Sequence, residues 1–458
     1  MLAARRRPSQ EFQMFRNEST EQVAEPAGSS RSGSRRRAWT VTVLLVVFMV
    51  INFGDKAVLG LAAGALQREF GISAEQYGVI ASGFFLLFSL SALAVGFLVD
   101  RIATKPVLLA LAVIWSLTLL PVLGTAGFVV ILVSRIVLGA AEGPAFGVAN
   151  HAMQKWFPDA ERNVPAALLS LGPSLGVIIT APTLTWLMIH FGWRSMFVAL
   201  IAVGVLWAIL WAALGKDGPI GAETAQPRAD ETSPAPETTV STLRVLATGT
   251  WIGSAVAVFA AYWSLSLLIA WLPPYLTTGA GYSESETGLL TTLPWVVGAL
   301  AVVVQGAVSQ RLMWRGVSGR WARGGLGGAV MIVSGVCTWA FVQVPAGPLK
   351  LALMALGLGI SGVIFTVATT ACGQVSPARR RGAVLGAFVA VYSLAGMIGP
   401  LVAGRLVGAA GAAPADGYET TFTLTAAIVV IGGVAAVALI RPERDAARLH
   451  ARDVNRLR

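Results

Sequence analysis

Charge is scarce in this sequence. Asp, Glu, Lys and Arg make up 12% of its 458 residues, against about 25% in an ordinary soluble domain. With 55% of the residues apolar, that shortage excludes a water-soluble globular fold and indicates a polytopic membrane protein. Cysteine is almost missing too. Cys337 and Cys372 lie in separate apolar segments, which excludes a disulfide framework and any cysteine-based metal spacing and leaves them as small buried residues. No apolar leader precedes the first long segment. Residues 1–37 are polar and contain eight Arg, so they read as a disordered cytoplasmic tail rather than a cleaved signal, with anionic lipid as a candidate contact.

What the chain does have is Gly, Trp and long apolar runs. Its 50 Gly and 14 Trp suit close helix packing and anchoring at a membrane interface. Twelve segments long enough to span a bilayer fall at about 39–64, 77–99, 106–124, 127–150, 165–189, 194–214, 249–276, 288–310, 322–343, 348–373, 382–406 and 421–440. The expected fold is all-α: two six-helix bundles, 39–214 and 248–440, joined by a Pro-, Thr-, Glu- and Ala-rich linker at 215–247. A basic tail at 1–38 and another at 441–458 flank them.

The net charge of +11 could suggest nucleic acid, but its placement excludes that. About 28 of the 34 Lys and Arg fall in loops on one side, among them Arg101 and Lys105, Lys155 and Arg162, Arg311 to Arg323, Arg379 to Arg381 and the tail from Arg441. This positive-inside pattern puts both termini in the cytoplasm and the chain in a plasma or inner membrane.

Four ionisable residues sit inside the apolar segments: Asp55 and Lys56 in the first, Arg135 and Glu142 in the fourth. Each costs roughly 2.5–3.5 kcal/mol at the centre of a membrane helix, about 10 kcal/mol together before pairing. Such residues mark proton or ion paths far more often than they merely hold helices together. Arg135 and Glu142 are two turns apart on one helical face, roughly 10.5 Å, with Gly139 between them. Asp55 and Lys56 are adjacent and point about 100° apart, toward different partners.

The halves repeat weakly. Gly96-Phe-Leu-Val-Asp100-Arg101 ends the second segment, and Gly306-Ala-Val-Ser-Gln310-Arg311 ends the eighth. Parallel six-helix repeats are a transporter plan with the ligand site between the halves. The string Gly96 to Lys105 resembles the loop signature G-x-x-x-D-R-x-G-x-K of the major facilitator superfamily, with Ala103 at the second Gly. A narrower resemblance is to its anion:cation symporter family, carriers of sugar acids and other organic anions. It rests on Ile51 to Lys56, Arg135 to Gly143, Gln154 to Pro158, Gly192-Trp193-Arg194 and Trp271 to Leu276.

The resemblance implies that Asp55 takes a proton, that Lys56 stands where an Arg often holds the substrate carboxylate, and that Arg135 and Glu142 couple proton to substrate. It implies a cytoplasmic gate at Gly96, Asp100, Arg101 and Lys105. It adds Tyr262 and Trp263 in the seventh segment, and Tyr392 and Ser393 in the eleventh, as substrate contacts. Asn52, one turn before Asp55, is a further cavity candidate, or else polar glue between helices. The chain also departs from the pattern. Lys56 lacks the planar fork of Arg. Phe88 and Ala92 stand where sugar-acid carriers often have Tyr and Gln, Ser393 where many have Asn, and Gln310 replaces the second-half Asp. Phe88 and Ala92 remove hydrogen-bonding groups suited to polyol hydroxyls and favour a less hydroxylated or aromatic carboxylate over a sugar acid.

The expected function is therefore proton-coupled symport of a small organic anion by alternating access, in a single chain without cofactor or metal. No cluster of neutral oxygen ligands points to sodium. A proton-driven exporter of drugs or metabolites would show a large apolar cavity and no paired cations. A membrane sensor would be expected to carry a soluble domain. An enzyme is excluded by the lack of any nucleophile–base constellation or cofactor loop. The Gly324-Gly325 and Gly327-Gly328 runs read as packing surfaces. His151 and His190 read as solvated or interfacial, and Pro173, Pro182, Pro273, Pro274, Pro294 and Pro400 as helix interruptions.

Overall fold

A computed structural model describes residues 28–99, 102–124, 127–158, 161–219, 241–377 and 381–454. Among them are twelve helical spans long and apolar enough to cross a membrane. These are α1 (Arg35–Leu61), α2 (Ala74–Gly96), α3 (Thr104–Leu123), α4 (Phe128–Gln154), α5 (Asn163–Phe191) and α6 (Arg194–Leu214). Then come α7 (Gly249–Ala270), α8 (Glu284–Trp314), α9 (Arg320–Gln343), α10 (Pro348–Val375), α11 (Ala383–Ala409) and α12 (Pro414–Leu439). A 20-residue helix is about 30 Å long, the thickness of the hydrocarbon core.

Several boundaries differ from the sequence expectation, each for a local reason. α2 and α8 start earlier because their polar first turns are capped. Ser73 and Gln76 exchange side-chain and backbone bonds, and Ser283 with Glu286 forms a capping box. α12 begins at Pro414, where a missing N–H costs nothing in the first turn. α7 stops at Ala270 instead of running on to 276. A short turn at Leu272–Pro274 and a π-turn at Tyr275–Gly279 follow, because Pro273 and Pro274 cannot donate to the helix ladder. Pro173, Pro182 and Pro400, in contrast, lie inside continuous helices and interrupt nothing, since neighbouring helices shield the freed carbonyls.

Within the first six spans, α1 packs on α5 and α6, α2 on α4, and α3 on α6. Within the last six, α7 packs on α10, α11 and α12, and α9 on α10 and α12. Small residues permit these approaches. A Cβ on Gly139 would sit 1.7 Å from the Phe84 carbonyl oxygen and one on Gly143 2.1 Å from that of Phe88, so α4 presses directly on the backbone of α2. Gly328 meets the Gly433 carbonyl at 2.6 Å in the same sense, and the glycine run of α9 is a packing surface as expected.

The two sets of six meet along α2 and α11, α5 and α8, and α1 and α7. Many close contacts lie at the end away from the termini. A Cβ on Gly60 would be 2.2 Å from the Ile269 carbonyl, and one on Gly78 2.6 Å from that of Pro400. The Tyr77 hydroxyl donates to the Ala270 carbonyl at 2.8 Å, a group left free where α7 ends. Arg405 and Glu75 lie 3.7 Å apart nearby.

At the opposite end each set carries its own fastener. Asp217, just past α6, accepts from the backbone N–H of Thr104 at 2.8 Å and from its hydroxyl, at the start of α3. Glu443, just past α12, accepts from the Gly319 N–H at 2.7 Å, at the start of α9. Asp445 similarly holds the Thr250 N–H and hydroxyl, each at 2.8 Å. A carboxylate at a helix N-terminus satisfies orphan donors and opposes the helix dipole.

Candidate functional site

α1 and α4 bring all four intramembrane charges together. Asn52, Asp55, Lys56, Arg135 and Glu142 are each between 1% and 8% exposed. Asn52 and Lys56 are one turn apart on α1, and the Lys56 ammonium donates to Asn52 Oδ1 at 2.5 Å. The same nitrogen lies 2.5 Å from Glu142 Oε2 of α4, a close buried ion pair. The faces of Phe53, at 4.5 Å, and Phe84, at 5.6 Å, border the ammonium.

Arg135 takes a different partner. Its Nη1 donates to the Asp55 carbonyl oxygen at 3.4 Å, and its guanidinium lies 5.5 Å from the centre of the Phe84 ring. Both Asp55 carboxylate oxygens, Arg135 Nε and Asn52 Nδ2 have no hydrogen-bond partner. The Arg–acid relationship suggested within the fourth helix is thus realised across helices: Glu142 engages Lys56, and Arg135 reaches the backbone at Asp55. Lys56 and Arg135 do not stand as two open cations. Lys56 already has a carboxylate.

A small cavity of about 20 Å³ adjoins this cluster, lined by Lys56, Arg135, Phe84 and Phe85 from one set of helices and by Ser266, Ile269 and Ala270 of α7 from the other. That is room for about one water. Any organic solute needs the helices to part.

The remaining candidates separate into two groups. Tyr262 faces across the junction, 5.7 Å from Phe85 of α2 and 4.7 Å from Tyr392 of α11 by ring centres. Phe365 of α10 closes the same aromatic wall. Trp263 turns away: its indole N–H donates to the Thr425 hydroxyl of α12 at 3.2 Å. Ser393 donates to the Val389 carbonyl of its own helix. Of the residues expected to form a gate, Gly96 ends α2, and the Lys105 ammonium donates to the Ala212 carbonyl at 2.7 Å. Asp100 and Arg101 lie outside the described residues.

Three residues not singled out from the sequence border the site. Phe53 supports Lys56. Trp295 of α8 meets Phe53 edge-on at 5.8 Å, and its buried indole N–H has no acceptor. Tyr77 ties α2 to the end of α7. The Phe84-Phe85 pair beside Phe88 was a visible signal for the aromatic wall; nothing in an evenly apolar α8 marked Trp295.

Twelve spans in two sets of six, with four charges buried in the first set beside the junction, define a secondary transporter of the membrane. The family model of the Major Facilitator Superfamily matches residues 44–371, and the chain belongs to that family. It is similar to the hexuronate transporter of Bacillus subtilis, 28% identical over 413 residues covering 87% of this chain and 94% of that one. It is similar to the probable sulfoacetate transporter SauU of Cupriavidus necator, 28% identical over 86% of this chain and 92% of that one. Similarity to the D-galactonate transporter of Escherichia coli O6:H1 is 25% over 89% and 98%. In fold it resembles a bacterial homologue of the lysosomal transporter Spinster in an inward-facing, unoccupied conformation, with TM-score 0.72, 19% identity and coverage of 91% and 98%. It also resembles a D-xylose–proton symporter, with TM-score 0.67, 14% identity and coverage of 89% and 99%.

Proposed function

We propose that this transporter takes up a small organic carboxylate together with a proton. The observation that carries the reading is the Lys56–Glu142 contact beside an unpartnered Asp55 carboxylate. In the empty site, two acids and two bases sum to zero. A proton on Glu142 removes the charge that holds Lys56, and the ammonium is then free for a substrate carboxylate. Arg135, with an uncommitted Nε, supplies the second donor. Proton and anion each favour the other by the same factor, which is thermodynamic coupling. One monoanion plus one proton leaves the site neutral and avoids the cost of moving a net charge through the bilayer. Asp55 is a second proton site: a buried carboxylate without a partner is costly unless neutralised.

The relatives named above carry, by name, hexuronate, sulfoacetate and galactonate, all organic anions. Phe88, Ala92 and the wall of Phe85, Tyr262, Phe365 and Tyr392 favour a substrate with few hydroxyls or an aromatic ring. Asn52, Tyr262 and Tyr392 would contact it. Trp263 and Ser393, turned to other partners, would act only after rearrangement. The halves 39–214 and 248–440 would rock about the site, with Gly96, Asp100, Arg101 and Lys105 gating the cytoplasmic end and both termini in the cytoplasm. One chain suffices. The exporter reading finds no support in a site that holds two cations.

The test is uptake of a panel of labelled carboxylates into proteoliposomes with and without an inward pH gradient. The gradient should drive accumulation of at least one carboxylate. Glu142→Gln should keep binding and exchange but lose accumulation. If Glu142→Gln concentrates substrate as well as wild type does, the coupling role is wrong.

A further inference from the structure

Where α9 begins and α12 ends lies a second cluster of cations, separate from the four intramembrane charges, with nitrogens that have no partner among the described residues. The first turn of α9 packs against the corner that follows α12. A Cβ on Gly324 would lie 2.8 Å from the Ile440 carbonyl oxygen, and the Gly319 N–H reaches Glu443 at 2.7 Å. This juxtaposition places Arg320 beside Arg441, with Arg323 about one turn further along α9. Arg320 Nε, Arg323 Nη1 and Arg441 Nε are all shielded from solvent and have no acceptor. Buried donors are nearly always satisfied, so three such atoms at one seam need an explanation.

The surrounding charges sharpen the case. Arg320, foremost, pushes the Arg441 guanidinium below its ordinary value. Burial adds to this, as do Arg444 and Arg448, and Asp445 opposes them. Among the described residues, the two acids at the seam are already engaged. Glu443 takes the Gly319 N–H. Asp445 takes Thr250 and, at 3.0 Å, Arg444. The cluster thus has donors and positive charge in excess, and its own acids do not cancel them.

We propose that Arg320, Arg323 and Arg441 bind the phosphate of an anionic lipid headgroup. A phosphate offers several acceptor oxygens, and guanidinium groups match them in pairs. Two features favour lipid over free phosphate. Trp321 in the first turn of α9 and Trp314 at the end of α8 are 53% and 79% exposed, Trp321 lying 4.9 Å from the Arg320 guanidinium by ring centre, and exposed Trp favours the headgroup layer. Val333 and Val336 of α9, with Ile431 and Val434 of α12, are also exposed, giving acyl chains an apolar surface on the two helices whose ends form the cluster.

Native mass spectrometry of the full chain tests this, with palmitoyl-oleoyl phosphatidylglycerol, the matching phosphatidylcholine, or inorganic phosphate added in detergent. Wild type should retain phosphatidylglycerol but not phosphatidylcholine. The combined variant Arg320→Gln, Arg323→Gln, Arg441→Gln should lose occupancy about tenfold or more, while Arg68→Gln at the other end should not. Should the combined variant fail to fold, Arg323→Gln alone must still weaken retention. Equal retention by wild type and variant would overturn the site. Millimolar inorganic phosphate displacing the lipid completely and remaining bound in its place would overturn the lipid assignment.

Discussion

The Lys56 ammonium of α1 sits 2.5 Å from the Glu142 carboxylate of α4, and both are buried. Removing one partner of a buried pair strands the other charge and costs about 3–5 kcal/mol, whereas replacing both by apolar groups is close to neutral. Lys56→Met alone should lower thermal stability in detergent, and Lys56→Met with Glu142→Leu should restore it. Uptake should stay absent in the double variant. A double variant that regains both stability and uptake would mean that the pair only fastens helices.

The Trp295 indole N–H is buried without an acceptor next to Phe53. Trp295→Phe keeps an aromatic ring against Phe53 and removes the donor. Its loss should raise KM about tenfold, the worth of one good hydrogen bond, and leave the melting temperature nearly unchanged. Uptake kinetics beside a melting curve separate binding from packing.

Gly60 and Gly139 both touch a foreign carbonyl, but in different settings. Gly139 packs α4 on α2 within one set of helices, so Gly139→Ala should destabilise the protein in every conformation, by about 1–3 kcal/mol. Gly60 meets Ile269 across the junction, so Gly60→Ala should disfavour closure of that end. Distances between spin labels at the ends of α1 and α7 should lengthen in Gly60→Ala. An unchanged distance distribution would remove Gly60 from the closure.

Glu69, outside the spans, accepts from Arg194 at 2.5 and 3.0 Å and from Trp193 at 2.7 Å. These bonds, Arg194's first, hold its carboxyl below the ordinary value. A depressed folded pKa gives stability that is fully present above the unfolded value of about 4.3 and lost as pH falls through the folded value. Glu69→Gln should therefore melt earlier than wild type at pH 7, and the gap should close in strongly acidic buffer. A gap independent of pH would show that the ion pair is not its source.

Much of this structure was legible in the sequence. The twelve apolar segments and the four buried charges could be read directly, because a bilayer imposes length and makes charge conspicuous. The rotation of each helix could not. Membrane helices are apolar on every side, so no periodic stripe shows which face meets a neighbour. Asn52 and Lys56 share a face by spacing alone, but Glu142 as their partner depends on how α4 turns on Gly139. For the same reason Tyr262 and its neighbour Trp263 looked equivalent, though one faces the junction and the other bonds Thr425. Helix ends were misplaced where polar caps extended α2 and α8 beyond their apolar cores.

Asp217 and Glu443 fasten α3 and α9 each to the stretch leaving the last helix of its own set. Neither fastener crosses between the sets, so the covalent tie from one to the other is not what keeps either closed. The two pieces should behave as complementing fragments: a chain severed between residues 220 and 240 and synthesised as two polypeptides should reassemble in the membrane and still carry solute.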